Sequence, residues 1–182
     1  IGPVVQASAL WLMTQNATAA AYAIGQADAV GSVPWHFYDV ANGHYLSVLD
    51  YPSIWVDSRG GVGPPGGITQ AIAGNDVLGW ASSPDHSPSA AYVPYLLTGV
   101  RYYLDKLNAQ AAWAVVRTVP NGSYGRLVGA TNDILLNLND QTRQQAWSMR
   151  DVQYAYLANP DGSYEKTYFQ GVVNHNWAYL AS

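Results

Sequence analysis

Apolar positions at helical spacing open the chain. Across residues 4–16 (VVQASALWLMTQN), Val5, Ala9 and Leu12 fall on one side of a 3.6-residue repeat, which predicts a helix. The Ala-rich run ATAAAYAIGQADAVG predicts a second helix, ending near Gly31. The pattern then switches to two short β-type runs, WHFYDV and HYLSVL, joined by Ala41-Asn42-Gly43. Asn-Gly between such runs is a strong hairpin signal, because both residues tolerate the positive φ of a tight turn. From residue 51 to 83 periodicity is lost among Gly and Pro clusters such as RGGVGPPGG, which predicts a long irregular loop.

Helical spacing returns at residues 88–98. Ser87 suits the N-cap, Pro88 the first helical position and Gly99 the terminator, while Pro94 inside is expected to kink the helix. Residues 100–118 follow as a helix with Leu104, Leu107, Ala111 and Val115 along one face. VPNGSYG interrupts, and the pattern up to residue 139 fits no one element. Residues 140–157 and 163–180 predict two more helices separated by ANPDG. The expected fold class is mainly α: helical hairpins, one small β-hairpin and a Gly/Pro-rich loop, all in one unit spanning residues 1–182.

Composition narrows the surroundings of such a fold. Only 11% of residues are charged, against about 25% in ordinary soluble domains. The aromatic load is almost all Trp and Tyr, seven and fourteen against two Phe, so most rings carry a polar handle. That combination suits a glycan-contacting surface, and equally a surface packed against neighbouring domains or subunits. A net charge of −4 with scattered Lys and Arg argues against nucleic acid as a partner. No apolar run approaches the ~20 residues of a membrane span. There is no Cys, hence no disulfide or thiolate metal site. The chain opens at Ile1 without an initiator Met, which reads as a processed or excerpted segment. Asn16-Ala17-Thr18 and Asn121-Gly122-Ser123 match the glycosylation acceptor pattern, relevant only in a eukaryotic secretory pathway.

Three stretches carry a resemblance: ATAAAYAIGQADAVGSVPWHFYD, SPDHSPSAAYVPYLLTGVRYYLDKL and RQQAWSMRDVQYAYLANPDGSYEKTYFQGVVNHNWAYL. They resemble segments of large exported bacterial proteins of poorly defined function with an α/α-toroid architecture, also used by polysaccharide lyases and glycoside hydrolases. The resemblance implies an extracytoplasmic location and a toroid of helical hairpins. At about 40 residues per helix pair, 182 residues hold some four pairs, an arc of such a ring. An arc has open edges, so at least one exposed apolar face or a large interface is expected.

Candidate chemistry gathers in a few places. Asp85 and His86 precede the helix expected at residue 88, whose positive end disfavours imidazolium and keeps His86 able to accept a proton. Asp85 would orient it, or simply close a turn between Pro84 and Pro88. Arg143, Trp147, Arg150 and Tyr154 recur at i, i+4, i+7 and i+11, one helix face on which two guanidiniums and two rings suit an acidic sugar. The plainer alternative is a cation–π ladder against a neighbouring hairpin. Tyr168, Val172, His175 and Tyr179 share similar spacing, where His175 reads as a satisfied core histidine. In PWHFYD, alternation puts His36 and Tyr38 on one face and Asp39 on the other, with His44 across the hairpin. Two His without supporting spacing give no metal motif, and no cofactor is implied.

Glycoside hydrolysis needs two carboxylates across the scissile bond. Glu165 is the only Glu and suits a helix first turn, and Asp39, Asp57 and Asp85 lie on separate loops. A lyase needs only a base and groups that neutralise the substrate carboxylate. His86 and Tyr38 as base, assisted by Asp85, with Arg143, Trp147, Arg150 and Tyr154 binding substrate, supply that inventory. The expected function is a glycan-handling toroid segment, lyase-like or glycan-binding, whose partner is an acidic polysaccharide. The competing class is a non-catalytic structural module of a surface or virion assembly, packed against neighbouring protein subunits.

Overall fold

The computed structural model describes residues 4–56, 86–120, 125–127, 129, 131–137 and 141–182. Most of the expected irregular loop, and Asp57 and Asp85, lie outside those residues. Within them the chain is mainly helical: α1 (Val5–Thr14), α2 (Ala17–Ala29), β1 (Tyr38–Asp39), β2 (His44–Tyr45), α3 (Tyr92–Thr98), α4 (Arg101–Arg117), α5 (Thr142–Ala158) and α6 (Tyr164–Leu180). The two strands form one small antiparallel sheet, pairing Tyr38 with Tyr45 and Asp39 with His44.

Local chemistry sets the turns. Gln15 ends α1 in the left-handed region, at φ 56°, and its N–H reaches Trp11 O. The Asn16 side chain then caps α2 by accepting from Ala19 N at 2.9 Å. The expected first helix thus stops short of Asn16, which belongs to the second. Its expected core face is also turned. Val5 and Leu12 are 68% and 47% exposed, while Trp11 is buried against Ala19 and Ala23 of α2. One ring of that size outweighs three smaller side chains in choosing the inner face. At the β-hairpin, Gly43 takes φ 74°, and the Asp39 carboxylate accepts from Ala41 N, Asn42 N, the Asn42 side chain and the Tyr51 hydroxyl.

The helix expected from residue 88 starts later, at Tyr92. Ser87 does not cap it. Its hydroxyl lies 2.8 Å from Gln110 Nε2 and donates to Asp151, and its carbonyl accepts from Arg150. Polar groups committed to α4 and α5 in this way are not free to begin a helix. Pro94 becomes the third helical residue, where a missing N–H removes no intrahelical bond, so it does not interrupt the ladder. Gly99, at φ 67°, closes α3 as expected, donating to Tyr95 O at 2.8 Å.

α4 organises the rest. The sequence suggests one apolar stripe, yet every residue from Leu107 to Arg117 is buried. On one side Leu107, Ala111, Val115 and Val116 pack with Val152 of α5, with Phe169 and Val172 of α6, and with Leu46, Val48 and Ile54. On the other, Ala109, Trp113 and Ala114 meet Val4, Val30, Trp35 and Ala90. Trp35 and Trp113 sit 5.5 Å apart, ring centre to ring centre. Small alanines let neighbours approach from both sides.

α5 and α6 form a hairpin. Gly162 takes φ 83°, and Ser163 caps α6 by accepting from Lys166 N at 3.1 Å. Buried asparagines tie the pair to its neighbours. Asn159 and Asn108 exchange amide hydrogen bonds between the end of α5 and α4. Asn176 of α6, fully buried, accepts from Leu135 N and Leu136 N and donates to Asp133 O and Val172 O. One side chain thus satisfies backbone on a segment that has few ladder partners. Replacing it with Ala strands those buried groups, each at about 1–3 kcal/mol. Asn176→Ala is expected to lower the unfolding free energy by roughly 3 kcal/mol or more, read by urea denaturation. A loss under ~1 kcal/mol would mean the 133–136 segment is held by other contacts.

Candidate functional site

The stripe on α5 does form, and it is built around Arg150. The guanidinium carbon lies 4.5 Å from the centre of the Trp147 ring and 6.0 Å from that of Tyr154. Tyr154 in turn stacks on Tyr92 of α3, 3.9 Å apart and 7° from parallel. The cation–π ladder therefore runs along α5 itself before crossing to α3, and each such contact contributes about 0.5–1.5 kcal/mol. Arg143, one turn before Trp147, is exposed and donates to the Gln141 side chain at 3.4 Å.

Beneath the stripe lies a buried polar network that the sequence pattern did not single out. Arg150 Nη2 donates to Ser87 O at 2.7 Å and to Asp151 Oδ1 at 3.1 Å. Asp151 is fully buried, and its Oδ2 faces Gln110 Nε2 at 3.1 Å and the Ser87 hydroxyl at 3.3 Å. Gln110 Nε2 is also 3.1 Å from Pro88 O. Burial pushes the Asp151 carboxyl up to about 7, against the opposing pull of Arg150, Ser87 and Gln110. A signal for the network was present. Gln110 interrupts the run Asn108-Ala109-Gln110-Ala111-Ala112-Trp113, and a polar residue inside a buried helix must find partners.

Two cavities flank this network, and Arg150 and Tyr154 line both. The larger, about 630 Å³, is a groove on the α5–α6 face, where Gln145, Gln153 and Thr142 offer polar groups beside Tyr154 and Trp177. Trp177 stands half exposed at its wall and was not anticipated as a site residue. The smaller, about 210 Å³, lies between α1 and α3.

The remaining expected site residues are dispersed. His86 is exposed and adjoins Ser87, so the chain brings it to the edge of the Arg150 network. Its expected companion Asp85 lies outside the described residues. Tyr38 belongs to the β-hairpin, where its hydroxyl donates to Gly43 O at 2.6 Å and its ring meets Tyr45 edge-on. His44 stacks on Tyr164 at 3.6 Å, with Nε2 3.5 Å from Asp50. His36 donates to Val33 O, and its pKa is lowered by burial and then by Lys106. Among the described residues no group of three or more His, Asp or Glu is placed to hold a metal ion. His175 is not a core residue. It is partly exposed, with Nδ1 2.8 Å from the buried carboxylate of Asp133.

Asp151 makes the network sensitive to pH. Folded, it keeps its proton up to about pH 7; unfolded, it releases it near the ordinary value of 3.8. Between these values the folded state binds more protons, so this group's contribution to stability falls as pH rises through the window. His36, with a depressed folded pKa, acts in the opposite direction as pH approaches its ordinary 6.5. Comparison with Asp151→Asn isolates the carboxyl. The stability of wild type relative to this variant is expected to fall between roughly pH 5 and pH 7, by up to about 1.4 kcal/mol per unit. A flat difference by chemical denaturation would mean that Asp151 stays ionised throughout.

No protein-family model matches the chain, and no curated protein or solved structure matches it.

Proposed function

We propose that this chain is a glycan-handling segment that works outside the cytoplasm, as an arc of an α/α toroid, and that it acts by binding. The observation that carries the reading is the α5–α6 groove. Its volume of about 630 Å³ suits a few sugar residues, and Trp177 supplies a ring face for stacking, with the Tyr154 ring, already stacked on Tyr92, beside it. Gln145, Gln153 and Thr142 supply the amide and hydroxyl groups that sugar hydroxyls need, and Arg150 supplies positive charge for an acidic sugar. Lyase-like turnover would add His86 as a base at the network's edge. Tyr38, whose hydroxyl is engaged at Gly43, has no part in the binding role.

One observation favours the alternative of a structural module. α1 exposes Val5, Leu10, Leu12 and Met13, and α3 exposes Leu96 and Leu97, apolar residues that suit a neighbouring protein surface. No helix among the described residues is long and apolar enough to cross a membrane.

A short oligouronate titrated into the protein tests the glycan reading. Saturable quenching of Trp fluorescence is expected, with Trp177→Ala weakening affinity about tenfold, or ~1.4 kcal/mol. His86→Ala is expected to leave binding within about twofold. No saturation, or a Trp177→Ala variant that binds as wild type, would refute the groove as the site. Appearance of an unsaturated product, lost ~10²-fold in His86→Ala, would establish a lyase instead.

A further inference from the structure

The smaller cavity has a different chemistry from the groove, with which it shares the Arg150–Tyr154 wall. Its volume is about 210 Å³, and Val5, Ala9 and Leu12 of α1 face Tyr92 and Val93 of α3 across it. Those three α1 residues are the helix's apolar face. With Trp11 taken by α2, that face meets a cavity rather than packed side chains. The polar residues that line the same space are few: Ser8, Ser89 and Arg150, beside the phenol rings of Tyr92 and Tyr154.

Those polar groups are incompletely used. Among the described residues, neither the buried Ser89 Oγ nor the buried Arg150 Nε has a hydrogen-bond partner. Among the described residues both Arg150 hydrogen bonds leave from Nη2, and the side chain keeps 26% of its surface open. A buried hydroxyl without a partner is destabilising, and rotation about its own χ1 can turn Ser89 toward an acceptor in the cavity. The requirements on an occupant then follow. Its body must be small and apolar, to cover Val5, Leu12 and Val93. Its one polar end must accept hydrogen bonds and carry negative charge, to meet Arg150 and Ser89.

We infer that the cavity between α1 and α3 binds a small amphiphilic monocarboxylate, its carboxylate at Arg150 and Ser89 and its apolar chain along α1. The uncharged alcohol of the same chain fills the apolar part and lacks the anion, so it separates carboxylate recognition from simple hydrophobic uptake. Arg150 also holds Ser87 and Asp151, so its replacement tests folding as well as binding. Val93 and Ser89 lie outside both the polar network and the α5–α6 groove; Val93 also packs on the Trp11–Ala19–Ala23 cluster, so the melting temperature of its variant is read beside binding, and Ser89 gives the second variant.

Isothermal titration of the full chain with octanoate, and separately with octanol, decides the matter. Octanoate is expected to bind at one saturable site and octanol at least tenfold more weakly. Val93→Phe, which places a ring in the cavity, is expected to weaken octanoate at least tenfold without changing the melting temperature by more than a few degrees. Ser89→Ala is expected to weaken it severalfold. Oligouronate binding by Val93→Phe is expected to match that of wild type, so failure of the glycan reading and failure of this one are read separately. Equal affinity for octanoate and octanol, no saturable octanoate binding, or full binding by a folded Val93→Phe variant would each overturn the proposal.

Discussion

A helix with no solvent face at its C-terminal half must satisfy every polar group it carries from inside the protein. α4 is that helix, and its requirements dictate the placement of its neighbours. The last four carbonyls of any α-helix lack intrahelical partners. Here Ala114 O accepts from the Thr118 hydroxyl, Val115 O from Thr118 N and Arg126 Nη1, Val116 O from Val56 N, and Arg117 O from Trp55 Nε1. Five donors from four residues converge on one buried end. Arg126, fully buried, also donates to Pro52 O and Ile54 O, so it fastens the 52–56 segment to that end. Burial lowers its pKa to about 10, which leaves it charged at neutral pH, and a cation near a helix C-terminus is favoured.

The same demand at the middle of α4 builds the polar network of the candidate site. Gln110 draws Ser87 and Pro88 of the segment before α3 to α4, and Asp151 of α5 joins them. Asp151 in turn holds Arg150, whose guanidinium stacks on Trp147 and Tyr154. The aromatic stripe is therefore anchored by the buried carboxyl group of Asp151 and not by surface contacts alone. A buried polar cluster contributes little net stability once desolvation is counted, but it fixes geometry where its hydrogen bonds are made. Fixed geometry is what a ligand site needs, and the two cavities open on either side of this one guanidinium.

Low charge makes such a design workable and also exposes its edges. With few Lys, Glu, Asp and Arg to cover the outside, apolar side chains remain on α1 and α3, and polar demands inside are met by Asn, Gln and Ser. Amides serve well there. A single Asn or Gln both donates and accepts, and it carries no charge to desolvate.

Much of the architecture was legible from local pattern. The helices of the C-terminal half, the Asn42-Gly43 hairpin, the Gly99 stop and the Ser163 start follow from periodicity and from residues whose backbone or side chain suits one position only. The spacing of Trp147, Arg150 and Tyr154 likewise placed them on one face before any fold was known. Inner faces and polar partners were decided only by the tertiary structure. Val5, Ala9 and Leu12 have the spacing of a core face, but Trp11 found the better partner in α2 and turned the helix. Ser87 has the chemistry of a cap, but Gln110 and Asp151, far away in sequence, offered it stronger company. Gln110 and Asp151 themselves carry no periodic signal, since a single polar residue becomes a network only when separate helices meet. Local sequence determines which conformations a segment prefers, whereas burial is a property of the whole chain and selects among them at contact.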